Sequence, residues 1–114
     1  NKSKLKLVPV KVSDTSDAVY PNDSTVQYGI YQPLSRPEFI YINKVAAGKP
    51  HIQKFVKFYL ENATKLTKEI GYVPLPAEAY QLSYLRFRKG VTGSLFQNRS
   101  VVGVNMMNLL SENQ

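Results

Sequence analysis

Four consecutive residues, Phe39-Ile40-Tyr41-Ile42, set the hardest condition on any fold for this chain. Lying between Arg36-Pro37-Glu38 and Asn43, they form an unbroken apolar, β-favouring run. Such a run marks a strand covered on both faces rather than one. A strand of that kind needs neighbours on each side and layers above and below it. The rest of the sequence offers little to meet the condition. Lys4–Val12 alternates charged and apolar residues early on, a period-2 pattern that predicts a second strand. Pro9 removes a ladder donor there, which pushes that strand to an edge or places a bulge in it. A short apolar run at Val101–Val104, followed by a Met-Met-Asn-Leu-Leu stretch, reads as a third strand and a frayed tail.

Helices account for the middle of the chain. From Pro50 to Ile70, the residues Ile52, Phe55, Val56, Tyr59, Leu60, Ala63, Leu66 and Ile70 recur at helical spacing and make one broad apolar stripe. Lys54, Lys57, Glu61, Lys65 and Lys68 face elsewhere. Pro50 suits the first helical position and Gly71 suits the C-terminal cap, so both ends are marked. A second helix is predicted from Pro76 to Lys89, opened by Pro and closed by Gly90, with Ala79, Leu82, Phe87 and the Tyr80/Tyr84 pair facing inward. Between Ser13 and Pro33 the pattern dissolves into Ser, Asp, Asn, Thr and Gly. That connection is expected to hold one helical turn at Asp23–Tyr28, capped by Asp23 or Ser24 and ended by Gly29. The predicted class is α/β with an incomplete sheet and at least two helices. Two or three strands cannot cover these apolar faces, and the 13–33 connection exceeds what a compact domain uses. The chain therefore reads as part of something larger.

Composition narrows the chemistry. A length of 114 residues suffices for one domain and rules out two. Fifteen Lys and Arg against eight Asp and Glu give a net charge of +7, which argues against acidic tails and carboxylate-rich calcium cages. The absence of Cys excludes disulfides, thiolate zinc sites and Cys nucleophiles without fixing a compartment. No run approaches the ~18 apolar residues of a membrane span. The start, NKSKLKLVPV, has a basic flank but no apolar stretch or cleavage site, so no signal peptide is expected within the chain.

The segment Tyr31-Gln32-Pro33-Leu34-Ser35-Arg36-Pro37-Glu38-Phe39-Ile40-Tyr41-Ile42 resembles the Y-P-L-S-R-P-L-F-I-Y-V signature of the phosphate-binding proteins of phosphate ABC transporters. Agreement continues through Phe55-Val56-Lys57-Phe58-Tyr59-Leu60-Glu61-Asn62-Ala63 and Glu69-Ile70-Gly71-Tyr72-Val73-Pro74-Leu75-Pro76, so the resemblance spans roughly residues 5–96 in register. Two residues depart from the pattern. Gln32 is inserted between Tyr31 and Pro33, and Glu38 stands where the family prefers an apolar residue, which implies that the strand's first residue is exposed. The resemblance implies a two-lobed periplasmic-binding-protein fold of which this chain is the C-terminal region. On that reading residues 1–12 end the second lobe, 13–35 cross the hinge and 36–114 complete the first lobe. It also implies capture of inorganic phosphate by the intact parent, partnership with a transporter permease and with the missing N-terminal part, and a periplasmic or extracytoplasmic location. The family's phosphate-holding loops have no counterpart here, so the chain alone is expected not to bind phosphate tightly.

Candidate chemistry within these residues is sparse. Ser35 and Arg36 are the candidate ligand-binding pair, since they sit at the implied hinge and Arg can fork two bonds to phosphate. The competing reading, that they tie the crossover to the strand, is favoured. Thr92-Gly93-Ser94 looks like an anion loop, but it follows a helix, whereas a phosphate cradle precedes one. His51, the single histidine, has no triad or metal partner in view. Asp14, Asp17, Asp23, Glu38, Glu61, Glu69, Glu78 and Glu112 are scattered and offer no acid/base pair. No catalytic residue, metal site or cofactor is expected, and the chain does not read as an enzyme. The triplets beginning at Asn22, Asn62 and Asn98 fit the N-glycosylation pattern by coincidence. A basic nucleic-acid-binding module is the rival reading, given the charge, eight Tyr and five Phe. Against it, the lysines spread along a helix's polar face rather than clustering, and most aromatics fall at positions expected to be buried. A purely structural fragment that completes a partner by strand addition is a third possibility.

Overall fold

Local sequence signals decide where each helix of this chain begins and ends. In the computed structural model, residues 3–96 and 104–112 are described. Helix α1 spans Asp23–Gln27, α2 Pro50–Glu69, α3 Ala77–Arg88 and α4 Met106–Glu112, with a single 3-10 turn at Ala46–Gly48 before α2. The cap of α1 is Asn22, one residue earlier than expected. Its side-chain oxygen accepts from Thr25 N–H at 2.9 Å, while Thr25 Oγ1 accepts from Asn22 N–H at 3.0 Å. This reciprocal pair satisfies two orphan donors at once. Pro50 opens α2 at its first position, where a missing N–H costs nothing.

The ends of α1, α2 and α3 share one device. After α2, Gly71 N–H bonds Lys68 carbonyl at 3.0 Å and Tyr72 N–H bonds Thr67 carbonyl at 2.9 Å. Gly71 has φ +81°, a left-handed value that a Cβ would strain. The same pair of bonds recurs after α1 through Gly29 and Ile30, and after α3 through Gly90 and Val91. Each is a Schellman motif, which stops a helix by satisfying its last carbonyls from within the chain.

Packing centres on α3, which contacts both α2 and α4. Val56 and Ala63 of α2, Ala79 of α3, and Leu109 and Leu110 of α4 are buried, together with Phe96. Ala79 is 0% exposed and Val56 1%, so the small residue and the β-branched one lie in the densest part of the core. The turn joining α2 to α3 is held from two directions. Leu75 N–H donates to Tyr80 Oη at 3.0 Å, and Gln27 Nε2 of α1 donates to Pro74 carbonyl at 2.9 Å. The Gly71–Pro76 turn is thus clamped between α1 and α3. At the start of α4, the Asn105 side chain accepts from Met107 and Asn108 N–H groups.

The expected sheet is not present among the described residues, which are helical with one isolated bridge in place of strands. Lys4–Val12 forms no strand; a single antiparallel bridge joins Val10 and Val19, with both N–H···O bonds at 2.9 Å. Ser16 closes the turn between them by accepting from Val12 and Ser13 N–H groups. Residues 39–42 have no regular secondary structure. Among the described residues no backbone group of 37–42 bonds to another backbone group. Phe39 packs edge-on against Phe96 at 5.3 Å between ring centroids, while Tyr41 is 92% exposed. A strand-forming run without a neighbouring strand has nothing to pair with, so propensity alone does not make it a strand. The expected strand at Val101–Val104 lies outside the described residues except for Val104, which is not in a strand. The tail forms a helix, α4, rather than fraying.

The stripe on α2 is only half used. Val56 and Ala63 are buried and Ile52 and Leu60 half-buried, but Phe55 is 59% exposed, and Tyr59, Leu66 and Ile70 are also open. The radius of gyration is 16.3 Å, against about 13 Å for a compact chain of this length. No helix among the described residues is long and apolar enough to cross a membrane. These differences in burial set an expectation for stability. Ala79→Leu overpacks the core around the fully buried Ala79 and lowers the free energy of urea unfolding by about 1–3 kcal/mol. Phe58→Ala, on an exposed position of α2, shifts it by less than about 0.5 kcal/mol.

Candidate functional site

Ser35 and Arg36 lie at the end of a tight turn built by Tyr31. Ser35 N–H donates to Tyr31 carbonyl at 3.0 Å and the Ser35 hydroxyl bonds the same oxygen. Tyr31 N–H in turn donates to Thr25 carbonyl at 2.8 Å, so the turn is anchored on α1. Within it the Gln32–Pro33 peptide is cis. Arg36 points to solvent and pairs with Glu38 at 3.4 Å, both side chains being more than two-thirds exposed. An ion pair so open contributes at most about 1 kcal/mol. Ser35 and Arg36 are therefore adjacent in sequence and engaged locally, one with a backbone carbonyl and the other with a carboxylate.

Gln32, noticed in the sequence only as an insertion, is the more buried group. Its Nε2 donates to Gly29 carbonyl at 2.9 Å, and its Oε1 is buried without a hydrogen-bond partner among the described residues. Gly29, with φ +67°, lies close to Val104, whose carbonyl oxygen would be 3.3 Å from a Cβ at that position. Tyr31–Ser35 and the segment leading into α4 thus meet at Gly29.

The Thr92-Gly93-Ser94 segment is wired as a cation-held turn. Arg86 Nη2 of α3 donates to Gly93 carbonyl at 3.1 Å and to Thr92 carbonyl at 3.4 Å, while Ser94 Oγ accepts from Phe96 N–H at 3.1 Å. An anion cradle presents converging N–H groups; this turn presents carbonyls to a guanidinium. A hollow of about 200 Å³ lies between α1, α2 and the start of α3, lined by Asp23, Gln27, Thr64, Lys68 and the Val73–Ala77 stretch. Neither Ser35 nor Arg36 lines it. Asp23 and Lys68 give it opposite charges, and Glu78 already places an acid in the first turn of α3.

The remaining sequence candidates are dispersed. His51 is exposed in the first turn of α2. Asn22 is occupied as a cap, and Asn62 lies within α2 with its Nδ2 donating to Phe58 carbonyl at 2.8 Å. Asn98 falls outside the described residues. No group of three metal-ligating side chains assembles among the described residues. Two of the α2 lysines, Lys57 and Lys65, pair with Glu61 and Glu69 one turn on, which partly neutralises the basic face.

Comparison with known proteins supplies the family. Protein SphX of Synechococcus elongatus is 47% identical over 110 residues, covering 96% of this chain and 32% of its own length. Protein SphX of Synechocystis sp. is 41% identical over 107 residues, covering 93% of this chain and 32% of its own. Phosphate-binding protein PstS of Staphylococcus aureus is 40% identical over 82 residues, covering 71% of this chain and 24% of its own. The chain thus corresponds to a segment of the phosphate-binding-protein family, and it spans about a third of the length of the SphX relatives. No protein-family model matches, and no solved structure matches.

The wiring of Arg36 and Arg86 predicts different costs on removal. Arg86→Ala, which frees two carbonyls, lowers unfolding free energy by about 1 kcal/mol in a urea titration. Arg36→Ala changes it by less than about 0.5 kcal/mol.

Proposed function

We propose that this chain is the C-terminal scaffold of a phosphate-capturing protein, the substrate-binding component of an ABC transporter. The observation that carries the reading is the 40% identity over 82 residues to a phosphate-binding protein. Residues 1–12 end a second lobe, 13–35 cross a hinge and 36–114 complete the first lobe. The intact protein works outside the cytoplasmic membrane, holding inorganic phosphate in a cleft and delivering it to a permease. Capture of this kind proceeds by hinge closure, with helix N-termini and hydrogen-bond donors replacing water around the anion. The positive surface of this segment helps recruit an anion without selecting it. It performs no catalysis and requires no cofactor.

Within that protein the segment supports the cleft rather than lining it. Three local arrangements favour this division. The Ser35 hydroxyl is engaged by Tyr31, Arg36 is paired with Glu38, and the Thr92–Ser94 turn faces a guanidinium. Calorimetric titration distinguishes the two levels. The intact parent binds inorganic phosphate saturably, and residues 1–114 alone give no saturable heat with millimolar phosphate. Micromolar binding by the isolated chain overturns the scaffold role, and absence of binding by the intact parent overturns the phosphate reading itself.

A further inference from the structure

We infer that Gln27 and Gly29 clamp α1 and the turn after it to the helical unit of 36–112, so that the parent's hinge pivots at Val19–Pro21 and not along the whole of 13–35. This rests on the function proposed above and narrows its hinge to one short segment. Gln27 is then a positioning residue: it touches no ligand and decides which lobe α1 travels with.

Bonding and burial divide the described residues at that segment. Residues 3–19 bond among themselves, through the Val10–Val19 bridge and the Ser16 turn. Among the described residues no hydrogen bond or ion pair joins 3–19 to the chain beyond Tyr20, and none of 3–20 is buried. From Tyr20 onward the bonds belong to α1. Thr25 Oγ1 donates to Tyr20 carbonyl at 2.7 Å, and Asn22 caps the helix. Pro21 lies between, and its ring fixes its own φ while disfavouring helical angles at Tyr20. Few backbone angles are left to bend there. A hinge takes up its motion at such a short stretch, next to elements that stay rigid.

Two attachments of different origin fix α1 beyond the pivot. Gln27 Nε2 donates to Pro74 carbonyl at 2.9 Å, across a separation of 47 residues. Among the described residues it is the one hydrogen bond that joins 13–35 to 36–112. The hollow of about 200 Å³ lies beside it, between α1 and α2, so side-chain packing adds little there and the Gln27 amide carries the attachment. Past the other end of α1, the Val104 carbonyl oxygen comes within 3.3 Å of where a Cβ of Gly29 would stand. The chain entering α4 thus closes over the start of the Tyr31–Ser35 turn. One clamp comes from the α2–α3 turn and the other from the segment before α4, and both belong to the same helical unit. A helix held at both ends moves with the unit that holds it, and the nearest backbone without such a hold is Val19–Pro21.

Spin-label distances in the intact parent test the pivot. Ser24→Cys with Lys54→Cys reports α1 against α2, and Asp14→Cys with Lys54→Cys reports the residues before the pivot against α2; all three positions are exposed. Distances are measured without and with saturating inorganic phosphate. The Asp14–Lys54 distance is expected to shift by more than about 2 Å on closure and the Ser24–Lys54 distance by less. A Ser24–Lys54 shift above about 2 Å overturns the proposal, because α1 then travels with the other lobe. Without phosphate, Gln27→Leu and Gly29→Ala are each expected to widen the Ser24–Lys54 distribution at least about twofold, and a smaller change in either overturns that clamp. A parent that binds phosphate while neither distance shifts overturns closure and the pivot together. A parent that binds no phosphate overturns the phosphate reading alone, since the phosphate-free widths still decide the clamps.

Discussion

The packing of α2 against α3 is the constraint on which the rest of this structure depends. Val56 and Ala63 of α2 and Ala79 of α3 are buried, and the Gly71–Pro76 turn joins the two helices. The turn is fixed by Tyr80 from α3 and Gln27 from α1, so α1 is positioned as a consequence. Tyr31 anchors on α1, the Ser35 turn anchors on Tyr31, and the segment before α4 meets that assembly at Gly29. A series of hydrogen bonds thus runs outward from one helix pair, through α1 and Tyr31, to the turn that holds Ser35.

Helices were legible in the sequence because their signals are local. Pro50 and Gly71 delimit α2 to within one residue of its observed span, and Gly90 follows the cap of α3 as expected. The cap of α1 was missed by one residue because Asn22, Asp23 and Ser24 all have suitable side chains, and only the reciprocal bond with Thr25 singles out Asn22. Strands were not legible in the same way. The Phe39–Ile42 run states a preference for a sheet, but a strand exists only when a partner supplies the other half of each bond. The preference and the partner are separate facts, and the sequence of one segment holds the first alone.

Site chemistry shows a similar division. The motif Ser35-Arg36 was conspicuous because Arg suits phosphate, yet its local geometry gives each group a partner within four residues. Arg86, which organises the Thr92–Gly93 turn, was not singled out. Its role depends on the chain returning after Gly90, and no spacing rule announces that return. Gln32 is visible in the sequence only as an insertion, whereas the structure buries its amide, whose Nε2 bonds the Gly29 carbonyl.

The three Schellman motifs have a consequence for the order of folding. Because α2 and α3 end themselves with bonds spanning six residues or fewer, the unit from Pro50 to Gly90 is held largely by local bonds. Low contact order makes such a unit fast, and sheet pairing across long sequence separations slow. The completed helices leave Phe39, Ile40 and Tyr41 exposed, and an apolar run left open in this way is prone to aggregate. Its flanks fit that exposure. Pro37 and Glu38 precede the run, and Asn43 and Lys44 follow it, placing a ladder breaker and opposite charges at its two ends as gatekeepers against pairing with the wrong chain.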